Sequence, residues 1–179
     1  DWKISFLDNV LDELKSGNRP KGGVRDIENG IPSIGGQHLN DSGKFNFEDL
    51  KYVPKDFFDS MNQGQIQEND ILICKDGAKT GKISYWENIS IDQAAVNSHV
   101  FILRAKNNKV NQKFLFYVLY SKKGQDQIKR IITGSAQPGI NRKFINPIKI
   151  PLPSFSEQKK IADILSAVDQ AIERTDQII

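Results

Sequence analysis

The sequence predicts an α+β fold: a mixed, strand-rich domain over residues 1–154, then a long amphipathic helix of coiled-coil type over residues 155–179. Three observations carry that expectation. Short apolar runs bounded by turn residues fill the first half of the chain. From residue 111 the apolar period lengthens to that of a helix. The final stretch, INPIKIPLPSFSEQKKIADILSAVDQAIERTDQII, passes from a strand through two prolines into one long repeat.

The elements follow in order. Residues 3–14, with Ile4, Phe6, Leu7, Val10, Leu11 and Leu14, read as a short strand running into a helix. SGNRPKGG (16–23) is a loop, and GIPSIGGQHL (30–39) a strand interrupted by a glycine pair. DSGKFNF (41–47) turns into an extended piece, and DFFDSM (56–61) suggests a helical turn. ILIC (71–74) is a compact apolar run typical of a buried strand. KDGAKTGK (75–82) is a glycine-punctuated turn, and ISYW (83–86) the hairpin partner. AAVNSHVFILRA (94–105) reads as a further strand. NQKFLFYVLYSKK (111–123) is helical, with Asn111 as cap, and QDQIKRII (125–132) is a second short helix. GSAQPGINRK (134–143) is a polar loop.

The terminal segment is the most regular. Ile148 and Ile150 alternate with Lys149 and Pro151, as in a strand. Pro151 and Pro153 then forbid the chain to continue as a paired central strand or as a helix interior. Ser156 is suited to cap the helix, with Glu157 in the first turn; Ser154 with Glu157 offers an alternative capping box. Ile161, Leu165, Val168, Ile172, Thr175 and Ile179 follow at alternating spacings of four and three, a heptad seam apolar at every position but Thr175. At roughly 1.5 Å per residue the helix runs about 36 Å. So narrow a seam requires another helix to cover it.

With 38% hydrophobic and 26% charged residues, the chain is that of a globular protein. No apolar run approaches the roughly 18 residues that span a membrane, and no signal peptide is visible. The lone Cys74 forms no internal disulfide, which makes the cytoplasm the default compartment. The net charge of +3 is unevenly placed: residues 1–100 carry −5, residues 101–155 carry +10, and the rest −2. The middle segment is a candidate phosphate-facing surface.

Enzyme motifs fail on spacing. GAKTGK has three residues between its glycines where a Walker loop has four, and Ile83 follows Lys82 where the magnesium-binding hydroxyl belongs. Asn146-Pro147-Ile148-Lys149 lacks the second proline and the aromatic of an adenine methyltransferase loop. Glu157-Gln158-Lys159 has nuclease spacing but no carboxylate partner. His38, His99 and Cys74 are not spaced as a zinc site. Nothing points to a catalytic residue, a metal or a cofactor. What remains is polar and basic: Lys75, Lys79, Thr80 and Lys82 on the hairpin turn, Lys129 and Arg130 after it, and Ser135, Gln137, Asn141, Arg142 and Lys143 in the polar loop. Gln and Asn match adenine edges, Arg and Lys match guanine and phosphate, and glycines let the backbone approach closely. The loop reads equally as an ordinary polar turn, and His99 as a structural hydrogen-bonder or a DNA contact.

The order of these blocks resembles the specificity subunit of Type I restriction-modification systems. The resemblance lies in IPSIGGQHLNDSG (31–43), DILICKDGAKTGKI (70–83), AAVNSHVFILRAK (94–106), FLFYVLYS (114–121) and above all GSAQPGINRKFINPIKIPLPSFSEQKKIADIL (134–165). It implies a non-catalytic platform for methyltransferase and restriction subunits. Each recognition domain of such a subunit reads one half of a split double-stranded DNA target, and antiparallel spacer helices set the distance between halves. A full subunit has two domains and two helices, whereas this chain has one of each. It is therefore expected to pair with a second recognition domain or with itself, a self-dimer reading a palindromic target. The competing expectation is a protein-interaction module that docks through its heptad helix, its DNA binding incidental.

Overall fold

ILIC becomes a strand at the centre of the molecule, as a run apolar on both faces should. The computed structural model describes residues 2–21, 30–134 and 136–176. In chain order the elements are β1 (Lys3–Phe6), α1 (Leu7–Val10), β2 (Leu11–Ser16), β3 (Ile31–Ile34), β4 (Lys51–Val53), α2 (Lys55–Ser60), β5 (Ile71–Cys74), β6 (Ile83–Tyr85), β7 (Ala95–Val96), β8 (Val100–Ala105), α3 (Gln112–Tyr120), α4 (Lys122–Lys129), β9 (Lys149–Leu152) and α5 (Phe155–Asp176). Short 3-10 turns occupy Gly36–His38 and Arg142–Ile145. Ser135 and Ile179, both singled out above, lie outside the described residues.

β2, β8, β5 and β6 form the central antiparallel sheet in that order. β4, β3 and β7 form a second sheet in which β3 and β7 run parallel, and β1 pairs with β9. Side chains alternate across a strand. Ile71, Ile73, Phe101 and Leu103 accordingly enter a core with Phe114, Leu115 and Leu119 of α3. Leu72, Cys74, Val100 and Ile102 enter a second core with Ile34, Leu39 and Trp86. Both faces of β5 are thus covered, at about 1.5–3 kcal/mol for each large side chain removed from water. Burial also pushes the Cys74 thiol up to about 11.

Three local expectations are corrected. The helix expected to follow β1 is a single turn, Leu7–Val10, and the chain returns to strand at Leu11. Pairing with β8 overrides the helical spacing of Leu7, Leu11 and Leu14. The strand expected over 94–105 is two: β7 joins β3, and β8 joins the central sheet. Between them Asn97 Oδ1 accepts the His99 N–H at 2.8 Å, closing a tight turn. Ser154 rather than Ser156 caps α5: its Oγ accepts the Glu157 N–H at 3.3 Å, and Glu157 Oε2 accepts the Ser154 N–H at 2.8 Å.

α5 presents two stripes. Toward the body it sends polar groups. Gln158, 1% exposed, donates to the carbonyls of Pro153 and Lys109 and accepts from the Asn111 N–H at 2.9 Å. Further along, Lys113 Nζ donates to Ser166 Oγ at 2.7 Å, Tyr117 to Asp169 Oδ2 at 2.7 Å, and Lys44 pairs with Glu173. About a quarter-turn away at roughly 100° per residue, Ile164, Leu165, Val168 and Ile172 stand exposed. Only Ile161 of the heptad seam is partly buried against the body. The other exposed large apolar side chains among the described residues, Trp2, Ile4, Phe6 and Phe155, lie in or beside β1 and α5. An apolar groove of about 410 Å³ joins the two, lined by Ile4, Val118, Pro151 and Leu165 among others.

Candidate nucleic-acid interface

β5 ends at Cys74 opposite Val100, where β8 begins, so the turns beyond them are neighbours. In the first, Gly77 and Gly81 have φ of 87° and 84°, a region that favours glycine. Gly81 N–H donates to the Cys74 carbonyl at 2.9 Å and Cys74 N–H to that of Lys82 at 2.8 Å, closing the hairpin. The second is the Asn97 turn that carries His99.

The polar loop lies across the first turn. Asp76 and Gly139 form a β-bridge, Gly77 N–H donates to the Pro138 carbonyl at 2.9 Å, and Ile140 N–H to that of Lys75 at 2.8 Å. Beneath it Ile140 and Phe144 are buried, and Phe144 stacks on Phe101 with centroids 5.9 Å apart. α4 completes the surface, because Gly81 packs on its Ile128; a Cβ at Gly81 would approach Ile128 Cγ2 to 2.9 Å. Four separate segments of sequence therefore form one polar platform.

Several side chains singled out in the sequence have partners inside the molecule. Lys75 Nζ donates to the Ser98 carbonyl at 2.9 Å and lies over the Phe101 ring. The Thr80 hydroxyl bridges the carbonyls of Gly77 and Pro138 at 2.6 and 3.0 Å. Lys82 pairs with Asp41 at 2.5 Å and holds that carboxyl below its usual range. Asn141 Oδ1 accepts the Lys143 N–H at 2.8 Å, capping the 3-10 turn, and the Arg142 guanidinium donates to the Leu14 carbonyl. The side chains of Lys79, Lys129, Arg130, Gln137 and Lys143 make no hydrogen bond or ion pair among the described residues. Lys129 and Lys82 line a shared concavity of about 350 Å³.

One group on the platform was missed: Asp76, which accepts a short hydrogen bond from the His99 ring at Nδ1. The signal lay in the register. Antiparallel pairing of Cys74 with Val100 sets the residues just after 74 beside those just before 100.

The chain has known relatives. The family model for the Type I restriction modification DNA specificity domain matches residues 1–179. The chain belongs to that family. The specificity subunit of Type I restriction enzyme MjaVIII from Methanocaldococcus jannaschii is 30% identical over 175 residues, 97% of this chain and 40% of that protein. The HindI specificity subunit from Haemophilus influenzae is 26% identical over 115 residues, 63% of this chain and 25% of that protein. Among solved structures, the S subunit from M. genitalium superposes with a TM-score of 0.69 at 18% identity, over 99% of this chain and 41% of that one. HsdS from Thermoanaerobacter tengcongensis gives 0.67 at 19%, over 99% and 39%. The strand-rich body with its C-terminal helix is thus the fold of this specificity domain family, and the chain spans about 40% of the length of the MjaVIII protein.

Proposed function

We propose that this chain is a DNA-reading unit of a Type I specificity subunit, non-catalytic, recognising one half of a split duplex target. One observation carries the reading: in a chain of this family, separate turns converge on a platform where Lys79, Lys129, Arg130, Gln137 and Lys143 have side chains without a hydrogen-bond or ion-pair partner among the described residues. The cations suit phosphates and guanine edges, and the Gln137 amide suits an adenine edge. Ser135 stands two residues before Gln137 in the sequence and is proposed to act with it.

α5 acts as the spacer. Its exposed stripe packs on a second helix of the same kind, supplied by the other half of a longer subunit or by a second copy of this chain. Two-fold pairing of copies makes the target an inverted repeat. Methyltransferase and restriction subunits assemble on the pair, in the cytoplasm where duplex DNA is available. The test is selection from a random pool of duplexes at low salt. One short enriched sequence supports the proposal; retention of no duplex overturns it. For the spacer, Leu165→Asp should turn a dimer into a monomer by light scattering, and an unchanged dimer mass refutes self-pairing. The uncovered seam also suits a protein-docking module, a reading favoured if a partner helix binds and no duplex does.

A further inference from the structure

Asp76, like Asp41, is an acid on a surface rich in lysines and arginines. In a phosphate-facing site a carboxylate repels the ligand. Its bonds give it a different role. Oδ1 accepts from His99 Nδ1, and Oδ2 lies 3.9 Å from Lys75 Nζ. Its backbone is fixed by the bridge to Gly139. His99 is held equally firmly: its N–H donates to Asn97 Oδ1 at 2.8 Å, and its carbonyl accepts from the Lys75 N–H at 2.8 Å.

The ring is thereby left with one unassigned atom. His99 Nε2 has no partner among the described residues and is open to solvent, with the side chain 37% exposed. His38 differs: its Nδ1 accepts the Gly35 N–H at 2.9 Å, and its Nε2 is sealed in the interior. In a neutral imidazole one nitrogen donates and the other accepts. In that neutral ring a carboxylate beside Nδ1 keeps the proton on that nitrogen, which leaves Nε2 as an outward acceptor.

We infer that Asp76 is a positioning residue for DNA reading, which orients His99 so that its outward Nε2 accepts a hydrogen bond from an exocyclic amino group of adenine or cytosine in the major groove. The inference rests on the DNA-reading proposal above and deepens it. The amino groups at adenine N6 and cytosine N4 are the donors that bases offer in that groove. An acceptor there rejects the keto oxygens of guanine and thymine, since acceptor would face acceptor. Asp76 trades some general affinity for that discrimination.

Two measurements test it. The unaltered chain is grown with isotope-labelled histidine, and its two histidines are followed by nitrogen NMR at neutral pH. The Nδ1–H tautomer is expected for His99, with Nε2 shifting when a duplex enriched from the random pool is added. The Nε2–H tautomer, a ring protonated on both nitrogens, or an unmoved Nε2 overturns the inference without any variant having to fold. The selection is then repeated with His99→Ala and Asp76→Asn. Both should lose preference at one and the same A·T or C·G position, on the order of 10-fold. Asp76→Asn should at the same time bind random duplex more tightly, because a negative charge is gone. Weakening of specific and random binding together, or an unchanged base preference, assigns the pair to holding the turns and overturns the inference. If the unaltered chain binds no duplex at all, the DNA-reading proposal falls, and this inference with it.

Discussion

The two ends of the central sheet are built from the same residue types to opposite effect. At the end where β5 begins and β8 finishes, Arg104 donates Nε and Nη2 to the two Asp70 oxygens at 2.6 and 2.8 Å, and Nη1 to Glu13 at 2.6 Å. Lys113 pairs with Glu87 at 2.7 Å beside them. Burial pushes the Asp70 carboxyl upward, and the paired guanidinium bonds oppose that push. A concavity of about 660 Å³ lies there, lined by more acids than bases, and both of its cations, Arg104 and Lys113, are engaged by carboxylates. At the other end Lys79, Lys129, Arg130 and Lys143 make no ion pair among the described residues, while Asp76 and Asp41 are engaged by His99 and Lys82. Engaged charge holds a fold together; unengaged charge on turns braced by backbone bonds is what the DNA-reading proposal needs.

The sharpest way to break the comparison is to unmatch the closed end. Asp70 is 2% exposed, and Asp70→Ala would leave Arg104 facing the interior without its fork partner. A loss of about 3–5 kcal/mol in denaturant unfolding is expected. Duplex binding by the fraction that remains folded should be unchanged. A loss below about 1 kcal/mol would mean that the network is dispensable and that the two ends differ less than their geometry implies.

Unloading the open end should do the reverse. Arg142 is bonded to Leu14, so the informative pair is Lys129→Ala with Lys143→Ala. Stability should stay within about 0.5 kcal/mol. The slope of log affinity against log salt should flatten by about 1.8, or roughly 0.9 for each phosphate that is no longer neutralised. An unchanged slope in a salt titration removes these lysines from the interface.

How far the sequence foretells these ends differs by element. β5 is legible because a four-residue apolar run has nowhere to go but a sheet covered on both faces. The seam of α5 is legible because its spacing is regular, and GSAQPGINRK stands out as a polar loop, though not its meeting with the turns after β5 and before β8. The stripe that docks α5 was not: Gln158, Ser166, Asp169 and Glu173 look like a solvated face, and only the positions of Asn111, Lys113, Tyr117 and Lys44 make them partners. Pairings such as Arg104 with Asp70, or Asp76 with His99, depend on strand register, which no local pattern encodes. Nor does residue type tell that Lys75 and Thr80 bond inward while Lys79 does not.

Acid provides the smallest and most selective probe. Hydrogen bonds from Lys15 first, and then Arg104, hold the Glu13 carboxyl below its ordinary 4.5. Its value in the folded state is therefore depressed, and the unfolded chain takes up the proton more readily. The stability that Glu13 contributes is complete above pH 4.5 and is lost as pH falls through the lower folded value. Glu13 is about a third exposed, so the contribution is on the order of 0.2–1 kcal/mol. Unfolding curves of wild type and Glu13→Gln should differ by that amount at neutral pH and converge in acid. Asp70 acts in the opposite sense: burial raises it, and the charge of Glu13 adds to that rise, so Glu13→Gln also eases Asp70 downward. A gap that widens toward low pH would mean that Glu13 is protonated in the folded state, and that the closed end is no better matched in charge than the open one.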